Sequence, residues 1–347
     1  MRAIVVTPGA KGSAALADLP PPDAREGAVR IRARAVGICG TDAEIVGGEY
    51  GAAPPGEERL VLGHEALGEV LDAPEGSGLA PGDLVAPMVR WPDPVPCGNC
   101  AVGEWDMCRN GRYTEHGIHG RHGFLREEWR LPPDRLVKAS AALGDLGVLL
   151  EPTSIVAKAW EHVERIAARA RWRAGKVLVT GAGPIGLLGA LLGVQHGLDV
   201  HVLDRNEDAP KPRLVRAIGA TYHASDVEEA GRDADVVLEC TGAPSLLFEA
   251  MHAPRPNGIV CLLGVSATGR CASVDAGALN RVLVLENNVV FGSVNANRAH
   301  WEAAAAALAG ADRAWLEGLV TRRVPLERWR EALRREEDDV KVVVTLA

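Results

Sequence analysis

Residues 176–206 read KVLVTGAGPIGLLGALLGVQHGLDVHVLDRN. A short apolar strand pattern, 176–180, runs straight into Gly181, Gly183 and Gly186, and a helical pattern opens at once. The first glycine permits a tight turn, the second lets the backbone approach a pyrophosphate, and the third lets helix and strand pack closely. Backbone amides at the helix start, with Pro184 and Ile185 in the same turn, then face the phosphates. A second strand pattern, 200–204, ends on Asp204, at the distance from which an acid bonds the ribose hydroxyls of NAD. Arg205 follows it and offsets part of the repulsion an acid offers to the extra phosphate of NADP. NAD is therefore the expected cofactor, with NADP left open.

Working outward, the apolar runs 234–241, 258–264 and 288–294 read as further strands buried on both faces, with helical patterns between them. Such alternation implies an α/β fold with a parallel sheet and crossover helices. Residues 1–150 differ. Short apolar runs such as RAIVV, VRIRARAVG, LVLGHEALGEVL, DLVAPMV and DRLVKA alternate with Gly and Pro, so this half reads as mostly β. After residue 295 come two helical patterns, HWEAAAAALAG and LERWREALRR, and a last strand, VKVVVTL.

A chain of 347 residues is long enough for two domains. The net charge of −8, with Lys and Arg scattered along the chain, provides no basic stripe for nucleic acid or an anionic membrane, and neither partner is expected. The opening MRAIVVTPGAKG is too short in its apolar run for a signal peptide or a membrane span, so a cytoplasmic location is expected. Seven cysteines, an odd number, point to reduced thiols and metal ligation.

Three separated segments carry metal-ligand chemistry: GICGTD with Cys39, LGHE with His64 and Glu65, and LLEPTS with Glu151. A catalytic zinc takes three protein ligands from Cys, His and carboxylate and keeps one position open. Taken singly, a small buried thiol, a core histidine and a helix-start acid are ordinary structural residues. A fourth stretch, PCGNCAVGEWDMC, places Cys97, Cys100 and Cys108 at ligand-like spacing. His116, His119 and His122, in EHGIHGRHG, lie among glycines and read as a solvated loop. Cys240, Cys261 and Cys271 read as packing residues.

In order along the chain, GICGTD, GHEALGEV, PGDLV, the CxxC segment and TGAGPIGLL resemble the zinc-dependent medium-chain alcohol dehydrogenase family. VLGHEALGEV, TEHGIHGRHGFLREEW, LLEPTSI and GSVNANRAHWEAA resemble its glucose 1-dehydrogenase branch. The resemblance implies a GroES-like β-rich catalytic domain over residues 1–165, rejoined by 296–347, and a Rossmann doubly wound parallel sheet over 166–295, with a zinc between the two. It implies Cys39, His64 and Glu151 as catalytic ligands, and Glu65 as an acid that ligates or exchanges with water. Thr41 would carry the substrate proton, Glu115 and Asn295 would bond sugar hydroxyls, and Val265 and Val294 would join the cofactor contacts.

The family's structural-zinc lobe has four cysteines spaced CxxCxxCx7C. Cys97, Cys100 and Cys108 match the last three; the first falls on Pro94, which cannot ligate. Adjacent Asp93 could complete a second, structural zinc site, and a metal-free lobe remains the alternative. Val89 and Ile155 stand where some members of the branch carry polar sugar contacts. The implied reaction is oxidation of a sugar hydroxyl, at C1 of an aldose such as glucose, to a lactone. A cyclitol, a polyol or another secondary alcohol is the alternative substrate, and a nucleotide-binding protein without catalysis the remaining reading. The family also pairs its last Rossmann strand between subunits, so a homodimer or homotetramer is expected.

Overall fold

The computed structural model describes residues 1–207, 210–266, 269 and 271–346. Two compact units divide the chain: residues 1–154 together with 295–347, and residues 155–294. The first boundary lies inside the helix Leu150–Ala167, ahead of the 165/166 division expected from sequence; the second lies at 294/295.

In the second unit six strands form one parallel sheet, in the spatial order Thr221–His223, Asp199–Leu203, Lys176–Thr180, Ala234–Glu239, Pro254–Leu262, Val289–Gly292. Strand order reverses between Lys176–Thr180 and Ala234–Glu239, and in open α/β sheets ligands bind beyond the carboxyl ends at such a point. The strand Ala234–Glu239 is buried at every position, as its unbroken apolar run requires. Thr221–His223 had no counterpart among the strands read from sequence.

In the first unit the strand Val29–Ile38 is the hub. Glu65–Asp72 pairs with it on one side, Lys341–Thr345 on the other, and Glu128–Leu131 pairs with its first half, all antiparallel. The register sets Gly37 opposite both Glu65 and Val343. Thus the start of one strand and the C-terminal strand meet at a single point. The run 60–71, which reads as one strand, is two. Leu60–Val61 joins a small sheet with Arg2–Val6, and Glu65–Asp72 joins the larger sheet. Gly63 sits at the break with φ +88°, a conformation available without strain only to glycine. The C-terminal pattern LERWREALRR is shorter than its period suggests: a 3₁₀ turn, Leu326–Arg328, and the helix Trp329–Ala332. Among the described residues, no helix is long and apolar enough to cross a membrane.

Candidate active site

The break at Gly63 delivers His64 and Glu65 to the end of the large sheet, where the helix Gly40–Gly47 begins. Cys39 is the N-cap of that helix, and its N–H donates to Asp42 Oδ2 at 2.9 Å. Cys39, His64 and Glu65 each place a potential ligand atom within 4.8 Å of the others. Thr41 Oγ1 lies 3.9 Å from Cys39 Sγ. Glycine makes room for the carboxylate: a Cβ on Gly37 would meet Glu65 Oε2 at 2.2 Å.

Two residues that sequence reasoning left without a role complete this group. Asp42, fully buried, points Oδ1 at His64 Nδ1 across 3.6 Å, and neither atom has a hydrogen-bond partner. That leaves Nε2 as the ring's ligand atom. Lys341, 2% exposed, places Nζ against Glu65 Oε2 and donates to the Ile38 carbonyl at 3.1 Å. Burial alone would lower the lysine's pKa, but Glu65 and then Cys39 outweigh it and raise the value. Glu151, in the first turn of Leu150–Ala167, lies outside the 4.8 Å group yet feels it. Burial, then the charge of Glu65, lifts its carboxyl to about 7.

The donors therefore suit a divalent cation. A thiol, an imidazole and carboxylates are the ligand set zinc takes, and with His64 neutral as a ligand Asp42, Glu65 and Glu151 outnumber the buried Lys341. His64 is depressed by burial but raised further by Asp42, so its pKa in the metal-free protein stands well above the usual value. Metal binding at this imidazole must displace a proton.

The glycine turn of the second unit has the expected form. Gly181 adopts φ +88°, and a Cβ on Gly186 would meet the Gly181 carbonyl oxygen at 1.8 Å. Gly183, the N-cap of the helix Pro184–Gln195, faces open space and caps no amide with a side chain. Pro184 at the first helical position has no N–H, so the amides from Ile185 onward are the ones this helix start offers to phosphate oxygens. Asp204 lies just past its strand; its Oδ2 accepts from the Ala182 N–H at 2.8 Å and pairs with Lys211 Nζ at 3.2 Å. Arg205 is exposed, as are Val265 and Val294, which follow the ends of the strands Pro254–Leu262 and Val289–Gly292.

Cys97, Cys100 and Cys108 also converge within 4.8 Å. Asp93 does not aim its carboxylate at them: it accepts from the Val95 N–H at 2.8 Å, Asn110 Nδ2 at 2.9 Å and Arg112 Nε at 3.2 Å. As a fourth ligand it would have to give up bonds that shape the lobe.

Glu115 and Asn295 do meet. Asn295 Nδ2 donates to Glu115 Oε1 at 3.0 Å, both residues being buried. The adjacent His116 corrects the reading of a solvated histidine loop. It lies buried in the strand Thr114–His116, accepts from Trp91 Nε1 at 2.8 Å and donates Nδ1–H to the His122 carbonyl at 2.6 Å. Burial above all holds its pKa at about 3. His119 is exposed, and His122 pairs with Glu57 at 2.9 Å.

A family model for the alcohol dehydrogenase GroES-like domain matches residues 25–141, and one for the glucose dehydrogenase C-terminus matches residues 144–346. Glucose 1-dehydrogenase of Methanocella arvoryzae is 38% identical over 100% of this chain and 99% of its own length. That of Thermoproteus tenax is 41% identical over 99% of both. The chain belongs to the zinc-dependent medium-chain alcohol dehydrogenase family, in its glucose dehydrogenase branch. Among solved structures, Haloferax mediterranei glucose dehydrogenase in complex with NADP, zinc and gluconolactone superposes with a TM-score of 0.91, at 34% identity and covering 100% of this chain and 99% of its own. The α/β architecture, a GroES-like unit with a Rossmann-type parallel sheet, is the architecture of the family.

Two outcomes follow for this medium-chain dehydrogenase. His116 stays neutral in the folded protein, whereas an unfolded histidine protonates below about 6.5. Its contribution is present in full above that pH and is lost as pH falls toward 3, by about 2 kcal/mol at pH 5. The melting temperature should fall from pH 7 to pH 5, and His116→Gln should flatten that slope; an unchanged slope in the variant contradicts the assignment. Lys341→Met leaves Glu65 buried without its cation, and the metal-free protein should lose about 3–5 kcal/mol. Zinc should restore more stability to this variant than it adds to the wild type, as read by thermal denaturation with and without the metal. Equal zinc stabilisation of both proteins would rule the pairing out.

Proposed function

We propose that the protein oxidises the C1 hydroxyl of an aldopyranose such as glucose to the lactone, reducing NAD or NADP, with a catalytic zinc. What supports this reading most is the full-length likeness to a glucose dehydrogenase that holds NADP, zinc and gluconolactone, on a chain whose Cys39, His64 and Glu65 converge. When bound, zinc supplies Lewis-acid polarisation of a hydroxyl oxygen, and the nicotinamide supplies the hydride acceptor. Cys39 and His64 hold the metal with carboxylate from Glu151 or Glu65. Asp42 orients the imidazole through Nδ1, and Lys341 holds Glu65 whenever that carboxylate is not a ligand.

Thr41 Oγ1 receives the substrate proton and passes it toward solvent. Glu115 and Asn295 orient the sugar ring through its hydroxyls. The amides of the turn Gly181–Gly186 bind the pyrophosphate. Asp204 bonds the ribose, while Lys211 and Arg205 offset its charge enough for NADP to be accepted beside NAD. The enzyme works in the cytoplasm as a homodimer or homotetramer, joined along the partly exposed edge strand Val289–Gly292.

Val89 is apolar and buried, which favours a second reading, a less polar ring such as a cyclitol. A panel of aldoses, inositols, polyols and simple alcohols, each with NAD and with NADP, separates the two. The expected result is the highest kcat/KM on an aldose, loss of turnover but not of dinucleotide binding after chelation, and a fall in kcat of about 100-fold in Thr41→Val. Absence of any aldose oxidation would refute the sugar assignment, and a monomer by light scattering would refute the assembly.

A further inference from the structure

Glu115 is bound asymmetrically, and the cause is a residue given no role above. Arg90 lies in the strand Arg90–Trp91, directly opposite Glu115 in the antiparallel pair, and is 4% exposed. Its Nε and Nη2 each lie 3.0 Å from Glu115 Oε1, and its Nη1 donates to the Asp106 carbonyl at 3.0 Å. The Tyr113 ring lies beneath the guanidinium, 3.7 Å from its centroid. Asn295, held at φ +62°, donates Nδ2 to the same Oε1 at 3.0 Å, while its own Oδ1 accepts from the Ala296 N–H.

Two hydrogen bonds and a further guanidinium nitrogen therefore converge on Oε1, and among the described residues no hydrogen bond reaches Oε2. A pair formed for stability alone matches two prongs to two oxygens, the usual fork-to-fork geometry. Here both prongs spend themselves on one oxygen. A carboxylate held rigidly by one oxygen, with the other unused, is built to receive a donor from outside the chain.

We propose that Arg90 is a positioning residue for sugar recognition. It locks Glu115 by Oε1 so that Oε2 accepts one ring hydroxyl of the substrate, and thereby sets how strongly the enzyme rejects a sugar lacking that hydroxyl. The inference rests on the proposed oxidation of an aldose. Substrates with a neutral hydroxyl at that position fit; a deoxy sugar leaves Oε2 unpaired, and an anionic substituent there meets a carboxylate.

The test compares kcat/KM for glucose and its monodeoxy analogues in the wild type, Arg90→Gln and Arg90→Lys, with dinucleotide KM and melting temperature measured beside them. The wild type should disfavour one analogue by about 10–100-fold, the range for a hydrogen bond to a charged group. Arg90→Gln should raise sugar KM and shrink that ratio about 10-fold, with dinucleotide KM unchanged, and Arg90→Lys, which offers a single point donor in place of the fork, should fall between. A full wild-type ratio in Arg90→Gln overturns the inference. If that variant does not fold, Arg90→Lys decides: a reduced ratio supports the inference, and a wild-type ratio overturns it. A wild type that oxidises no aldose overturns the proposed function itself, and the inference with it; a wild type and Arg90→Gln that discriminate equally overturn the inference alone.

Discussion

An imbalance of buried charge governs this protein. Asp42, Glu65 and Glu151 are carboxylates brought together beneath the surface with the Cys39 thiol and the His64 imidazole, and Lys341 is a buried cation beside them. Like charges buried near one another repel, since the protein interior screens them less than water does. Without metal, Lys341 and a protonated His64 offset these acids; once His64 is a neutral ligand, Lys341 alone faces all three. Glu151 answers by holding its proton up to about 7, and the remaining stress is what a divalent cation relieves.

The backbone is arranged around that imbalance. Gly37 leaves the space that the Glu65 carboxylate fills, Gly63 turns the chain so that His64 and Glu65 emerge together, and the register of Lys341–Thr345 against Val29–Ile38 carries Lys341 to the same point. The second unit serves a different ligand by the same means. Its glycine turn and Asp204 lie at the carboxyl ends of neighbouring parallel strands, beside the place where strand order reverses.

What could be read from sequence was what local pattern encodes. The turn Gly181–Gly186, the buried strands around it and the ligand segments each carry their chemistry within a few residues. The strand Thr221–His223 was illegible because three residues with polar ends make no apolar run, and the run 60–71 misled because its break is a backbone angle at one glycine. The glycines beside His116 suggested a solvated loop. Instead, Cβ atoms on Gly117 and Gly123 would meet the Gly63 carbonyl at 2.5 and 2.3 Å, so these glycines serve close packing around a buried histidine. Lys341 and Arg90 were invisible for another reason: their partners are fixed by strand register, across 276 residues for Lys341 with Glu65 and 25 for Arg90 with Glu115, and register is a property of the assembled sheet.

The most direct measurement is a crystal structure of the zinc-loaded protein with anomalous data at the zinc edge. The account requires a peak about 2.3 Å from Cys39 Sγ and about 2.0–2.1 Å from His64 Nε2, with a Glu151 or Glu65 oxygen completing the set. Density only at Cys97, Cys100 and Cys108, with Cys39 and His64 left unligated, would contradict it.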